Sequence, residues 1–484
     1  MRVLENLEPK RVFHYFEDIC QIPHGSTNTK EISDYLVQFA IDHQLKYVQD
    51  TSNNVIIWKP GTAGYENSAP VMLQGHIDMV CEKEADCPID MEKEGLKLLV
   101  NNGIISADGT TLGGDDGIAV AYNLALLDSK DIPHPPLEAV FTVDEEIGML
   151  GAAAMDMSVL KSRIMLNIDS EDEGYLLVSC AGGTTATCHL PIQRTTVNGQ
   201  TVTIKVSGGR GGHSGVEIDK GRANANMVLS RMLWKFSRQL SYCLIHIEGG
   251  KKDNAIPNAS TAEIVLKDAV NEEVIQKFVN DFNGIIHNEF TSTDPDLKVS
   301  YTFDANKQDV QAMDAESTKR ILCVLRNVPN GIQRMSFDIE GLVQTSLNLG
   351  ILVTQEQEVT ASFAVRSSVT SEKEELVERL VSLVETLGGT VTCAGDYPAW
   401  EYQQESPLRD LMIEVFEKQY GRKPVVQALH AGVECGLFAG KLPGLDCVSF
   451  GPDMTNIHTF NESLDVASAA RTWEYLVEIL KRLK

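Results

Sequence analysis

Four short apolar runs near the start of the chain, "NNVIIW", "VMLQG", "LEAVFTV" and "IMLNI", constrain the fold more than any other feature. They lack the polar alternation of a half-solvated strand, and they are shorter than a packed helix. Each is therefore predicted to be a strand covered on both faces. Helical patterns lie among them. "STNTKEISDYLVQFAIDHQL" sets Ile32, Tyr35, Leu36 and Phe39 on one face behind a Ser/Thr cap. "GGDDGIAVAYNLALLDS" is a glycine turn opening into a helix that is apolar nearly all round, and Val12, Phe13, Phe16, Ile19 and Cys20 mark an earlier helix. Helix alternating with buried strand specifies an α/β layer structure.

The pattern changes near residue 183. "TTATCHLPI", "TVTIKVSG", "TAEIVLK", "LKVSYTF" and "EVTASFAVRS" alternate between faces and are separated by helices such as "RANANMVLSRMLWKFSRQL". The first pattern returns at the end, with a helix in "LRDLMIEVFEKQYG" and strands in "VVQALH" and "DCVSFG". A closing helix carries Val466, Ala469, Ala470, Trp473, Leu476, Val477 and Leu480 as a stripe. At 484 residues the chain exceeds one ordinary core. The economical organisation is one α/β domain built from residues 1–183 and 397–484, interrupted by an α+β domain at 184–396.

A net charge of −26 argues against nucleic acid and anionic membranes as partners. No apolar stretch approaches the roughly 20 residues needed to span a bilayer. The first segment lacks the basic-then-apolar layout of an export signal, so a cytoplasmic location is expected. The ten cysteines show no zinc-ribbon spacing and are expected to be reduced and mostly buried.

What ends each strand gives the functional signal. "VMLQG" runs into His76 and Asp78, "LEAVFTV" into Asp144, Glu145 and Glu146, and "IMLNI" into Asp169. "DCVSFGPDMTNI" leads to His458, and the glycine turn holds Asp115 and Asp116. Singly, each has an ordinary explanation: a structural His–Asp pair, a helix-opening turn, a solvated acidic corner, a surface histidine. Together they gather acids and imidazoles at the carboxyl ends of strands, where open α/β sheets bind ligands. Such a gathering repels itself without a counter-ion, and two histidines among carboxylates suit Zn²⁺ or another first-row divalent ion. Two ions are balanced by Asp115, Glu146, Asp169 and a hydroxide, which favours a pair about 3.5–4 Å apart. Asp78, two residues after His76, is placed to accept the second ring N–H. Glu145 and Glu146 point to opposite sides if the segment is extended, so one can ligate while the other acts as base.

"GHIDMV", "GGDDG", "DEEIGMLGA", "LNIDSED" and "NIHTFNE", in this order, resemble the motif series of the aminoacyl-histidine dipeptidases. These are cytosolic enzymes within the carnosinase, acetylornithine-deacetylase and carboxypeptidase G2 superfamily, and the resemblance spans the whole chain. It implies a mixed-sheet three-layer catalytic domain with an inserted lid domain. It also implies that His76 and Asp169 hold one Zn²⁺, that Glu146 and His458 hold another, and that Asp115 bridges them, with Co²⁺ or Mn²⁺ as substitutes. Asp78 would orient His76, Glu145 would be the base, and the Asp115–Asp116 peptide bond would be cis. Gly117 stands where much of the superfamily has lysine, which matches the dipeptidase branch. Asp116 replaces an expected asparagine and adds a charge.

In the insert, "GGRGGHSGVEI" is similar to the family's lid segment, whose histidine, here His213, steadies the oxyanion. Asn254 in "NAIP" and Arg366 in "AVRSS" resemble positions that grip a substrate carboxylate. "LHAGVECGLF", with His430, Gly432 and Glu434, resembles a substrate-side loop. The expected function is hydrolysis of small dipeptides, including Xaa-His, by a bridging water that Glu145 deprotonates, with the lid domain also able to form a homodimer. The rivals are an N-acyl amino acid deacylase or carboxypeptidase on the same scaffold, and a non-catalytic metal-binding scaffold.

Overall fold

A computed structural model describes residues 2–484. The chain divides into two compact units: Met1–Ser179 with Tyr402–Ala428 and Val433–Lys484, and Cys180–Glu401 with Leu429–Gly432.

The first unit is built on an eight-stranded mixed sheet. At its centre, Val71–His76 runs parallel to Leu137–Thr142 on one side and to Ile164–Asn167 on the other. Asp446–Ser449 continues the parallel set beyond Ile164–Asn167, while Val55–Lys59 adds antiparallel to Leu137–Thr142. Val71–His76 and Leu137–Thr142 are buried along their whole length, as their unbroken apolar runs require. A smaller sheet joins the two ends of the chain: Ser463–Asp465 pairs with Ile104–Ala107 and with Met454–Thr455.

Three local details differ from the sequence reading. The helix Lys30–Asp42 starts at Thr29 without a side-chain cap, and Thr29 itself has φ −97° and ψ 0° instead of the extended conformation of a capping residue. The strand in "LEAVFTV" stops at Thr142, and Asp144 takes a left-handed conformation with φ 54°. In the closing helix Val466–Arg482 the buried face is rotated toward Ser468, Ala469, Thr472, Tyr475, Leu476, Ile479 and Leu480. Trp473 is half-buried there and stacks on Tyr122 with centroids 5.8 Å apart.

The second unit is built on a nine-stranded antiparallel sheet that runs from Lys298–Met313 at one edge to Thr390–Tyr397 at the other. The helices Ala225–Ser237, Glu272–Phe290, Ala315–Asn327 and Thr370–Thr386 contribute Phe236, Phe282, Leu325 and Leu380 to one core with its strands. Among the described residues no helix is long and apolar enough to cross a membrane. Cys20, Cys188, Cys243 and Cys447 are buried thiols, whereas Cys81 and Cys393 are exposed.

Candidate metal centre

The parallel register brings the functional side chains to one edge. His76 pairs with Thr142 and Gln74 with Asn167, so His76, the Asp144–Glu146 turn and Asp169 leave neighbouring strands at the same level. Asp115 and Asp116 open the helix Gly114–Asp128 with non-helical dihedrals, and the peptide bond between them is cis. Gly75 lets this helix approach the strand, since a Cβ there would lie 2.6 Å from Asp116 Oδ2 and 2.7 Å from Ala119 Cβ. A Cβ at Gly117 would lie 3.3 Å from Phe16 Cε2, so a lysine at that position would have to enter the apolar core.

Asp115 is the hub. Its Oδ1 lies 3.1 Å from His76 Nε2 and its Oδ2 lies 3.2 Å from His458 Nε2. Asp169 Oδ1 is 3.6 Å from the same His76 nitrogen, and Glu146 Oε2 is 2.9 Å from the same His458 nitrogen. Two ligands at about 2.0–2.1 Å on a tetrahedral ion stand about 3.3 Å apart, so these separations are those of side chains able to share ions. Asp115, Glu146 and His458 form one group of donor atoms within 4.8 Å of each other. His76 forms another with Asp116 and Asp169, and a third with Glu145 and Glu146. His76 is 1% exposed, whereas His458 stands at the rim in the loop after Thr455, with φ 61°.

The second ring nitrogen of His76 meets the backbone carbonyl of Asp78 at 2.9 Å, with the carboxylate farther away at 3.5 Å. Asp78 therefore orients the ring mainly through its backbone. Its carboxylate accepts hydrogen bonds from the backbone N–H groups of Glu145 and Glu146, at 3.0 and 3.3 Å, and from Ser26 Oγ at 2.8 Å. Asp78 thus holds the acidic turn in place. The turn is not extended, so its two glutamates are set apart by this anchoring and not by strand alternation.

Charge crowding is visible in the proton affinities. Burial, reinforced by Asp169, Glu434 and Glu146 against the pull of His76, raises Glu145 to about 9. Burial also raises Asp169 to about 6, against its hydrogen bond to His76. Hydrogen bonds to Asp115 and Glu146 raise His458 to about 10. His76 is raised as well: burial alone would lower it, but Asp115, Asp169 and Asp78 outweigh that. Asp116 is fully buried and raised well above a normal carboxyl by burial and then by Asp169, so it does not add the charge its sequence position suggested.

In the second unit, His213 ends the short strand Gly212–His213, paired with Ala255–Ile256. Its Nδ1 accepts the backbone N–H groups of Gly215 and Val216, both at 3.2 Å. Burial, with Arg366 adding to it, lowers its proton affinity, so the neutral ring presents an Nε2–H donor. His430 is pushed down to about 3 by burial and then by the Arg366 charge. Its Nε2 meets Ser346 Oγ at 2.7 Å, and its Nδ1 is buried without a partner. Arg366 donates to Tyr397 Oη at 2.7 Å and keeps a buried Nε without a partner. Gly432 lies in the same Leu429–Gly432 segment as His430. Asn254 is exposed; its backbone carbonyl accepts from Ser214 N at 2.8 Å.

Glu434 does not behave as a residue of a substrate-side loop. It is fully buried at the start of the helix Glu434–Lys441, where Oε2 accepts from Gln74 Nε2 and Thr142 Oγ1, both at 2.6 Å. Burial raises it to about 7. The sequence signal was Gln74 itself, a polar residue in an otherwise apolar buried strand that must find a partner.

The sequence profile of peptidase family M20/M25/M40 matches residues 72–482. The cytosol non-specific dipeptidase of Escherichia coli K12 is 36% identical over 485 aligned residues, covering 100% of this chain and 99% of the relative. The crystal structure of an aminoacylhistidine dipeptidase from Vibrio alginolyticus superposes with a TM-score of 0.92 at 34% identity, covering 99% of this chain and 98% of that one. An aminopeptidase PepT structure from Bacillus cereus, at 18% identity and a TM-score of 0.56 over 99% of both chains, shares the fold.

Proposed function

The chain is a member of peptidase family M20/M25/M40, and from that premise we propose a di-metal dipeptidase that hydrolyses short dipeptides, Xaa-His among them. The observation that carries the reading is the split carboxylate of Asp115, one oxygen toward His76 and the other toward His458. The residues fit a pair of divalent ions. The donors are imidazole and carboxylate, and Glu146 Oε1 and Asp116 Oδ1 are buried without hydrogen-bond partners. His76 and Asp169 would hold one ion, Glu146 and His458 the other, and Asp115 both, with Zn²⁺ as the expected ion and Co²⁺ or Mn²⁺ able to replace it. When bound, such ions supply countercharge and Lewis acidity, which makes water nucleophilic near neutral pH and polarises a carbonyl.

The chain's own groups supply the rest. Glu145, its backbone held by Asp78, takes a proton from the attacking water and returns it to the leaving amine. The neutral His213 donates Nε2–H to the developing oxyanion. Arg366, with His430, Gly432 and Asn254, grips the free carboxylate of a two-residue substrate. On this reading residues 1–183 and 397–484 form the catalytic domain, and residues 184–396 form a lid that also serves as the surface of a homodimer. The enzyme is cytoplasmic.

A substrate panel after loading with Zn²⁺, Co²⁺ or Mn²⁺ tests the proposal. Xaa-His and other dipeptides should be cleaved well, and tripeptides and N-acetyl amino acids poorly. Preference for N-acetyl amino acids or longer peptides would favour the deacylase or carboxypeptidase alternative. No turnover with any metal would leave only a binding scaffold.

A further inference from the structure

Glu462 lies four residues beyond His458, in the loop that joins Met454–Thr455 to Ser463–Asp465. It is 3% exposed, and among the described residues no hydrogen bond joins it to a side chain of the proposed ligands. Its carboxylate instead receives four successive backbone N–H groups of the turn that carries Asp115. Oε2 accepts from Leu112 at 2.8 Å and Gly113 at 3.0 Å, and Oε1 accepts from Gly114 at 2.8 Å and Asp115 at 3.3 Å. Amides at the start of a helix have no carbonyl partners of their own, and consecutive N–H groups of a turn form a concavity suited to an anion. The turn is shaped for this. Gly113 takes φ 67°, and a Cβ on Gly114 would lie 3.2 Å from Glu462 Oε1.

We propose that Glu462 is a positioning residue for the metal centre. By tying the Asp115 turn to the His458 loop, it keeps the Asp115 carboxylate between the two imidazoles. The inference rests on the di-metal reading above. The strand pairs Ser463↔Ser106 and Leu464↔Ile105 bring the loop only to the strand that precedes the turn. At the turn itself Glu462 accepts the backbone hydrogen bonds, beside Met454, whose Sδ would lie 3.1 Å from a Cβ on Gly114. A glutamine would keep one acceptor oxygen but would aim an NH₂ group at two N–H donors, so the conservative change keeps half of the contact and turns the other half repulsive.

The test is a metal titration of chelated wild type and Glu462→Gln, by calorimetry with Zn²⁺ and by visible absorption with Co²⁺. The variant should remain folded by circular dichroism, bind the ions about ten- to a hundredfold more weakly, and give an altered Co²⁺ spectrum. Unchanged affinities and an unchanged spectrum would reduce Glu462 to a helix cap and overturn the proposal. If Glu462→Gln fails to fold, Glu462→Asp, whose shorter chain reaches fewer of the amides, replaces it. Weakened binding by that variant supports the proposal, and wild-type binding overturns it. A wild type that fails to take up two ions would overturn the di-metal reading first and this inference with it.

Discussion

Metal uptake by this chain should be a proton-releasing reaction, and the geometry sets how many protons leave. His458, raised to about 10, carries a proton near pH 7, and so does His76, raised by three neighbouring carboxylates. Ligation needs the bare Nε2 of each ring, so both protons must depart. Glu145, raised to about 9, holds a third, which leaves once cations offset the crowding by Asp169, Glu434 and Glu146. About two to three protons should therefore be released per pair of ions, and affinity for the pair should rise about a hundred- to a thousandfold per pH unit around neutrality. Two unperturbed histidines with pKa about 6.5 would together hold only about half a proton at pH 7. Calorimetric titration of chelated protein in buffers of different ionisation enthalpy separates the two cases through the slope of heat against buffer enthalpy. A release of about half a proton or less would mean that the ions do not enter among these groups, and the proposed ligand set would fall.

The same groups predict how the chelated protein responds to pH. His458 is raised above the ordinary imidazole value of about 6.5, so its contribution to stability is full below about 6.5 and lost as pH rises through about 10. Glu145 and Asp169 are acids raised from 4.5 and 3.8, so ionising them in the fold, through about 9 and about 6, destabilises it in the same direction. In chelator the Tm should fall between pH 5 and pH 9, and metal should abolish that fall; a chelated Tm that rises with pH would contradict the crowding described here. Glu145→Gln should bind both ions while kcat drops about 10²–10⁴-fold, and near-normal turnover in that variant would remove Glu145 from the role of base.

The sheet and most of the cluster were legible because fully buried parallel strands read as continuous apolar runs. A histidine or acid at the end of such a run has few structural reasons to be there. What stayed hidden was backbone conformation that residue type does not announce. Asp144 takes φ 54°, which ends the strand early and folds Glu145 and Glu146 into a turn, so strand alternation could not describe how they diverge. The Asp78 carboxylate is legible only in part: it lies 3.5 Å from His76 Nδ1, as the spacing implies, but the turn also brings it the N–H groups of Glu145 and Glu146. Glu434 looks like a loop residue in sequence because its partners, Gln74 and Thr142, are 360 and 292 positions away in the chain. The buried face of the closing helix is rotated from the apolar stripe because Trp473, core-like by composition, lies half-buried against Tyr122.

The cluster also poses a folding question, since its members come from both ends of the chain and are mostly acidic. Counting only the protein's own groups, protons do the work that divalent ions would do. Two imidazolium rings face Asp115, and protons on Asp116 and Glu145 remove charges that burial would otherwise penalise. Ion entry is then an exchange of charge, protons out and cations in. Asp116 fits the same picture: burial, and then Asp169, raise it well above an ordinary carboxyl, which disfavours a further charge where the family has an amide.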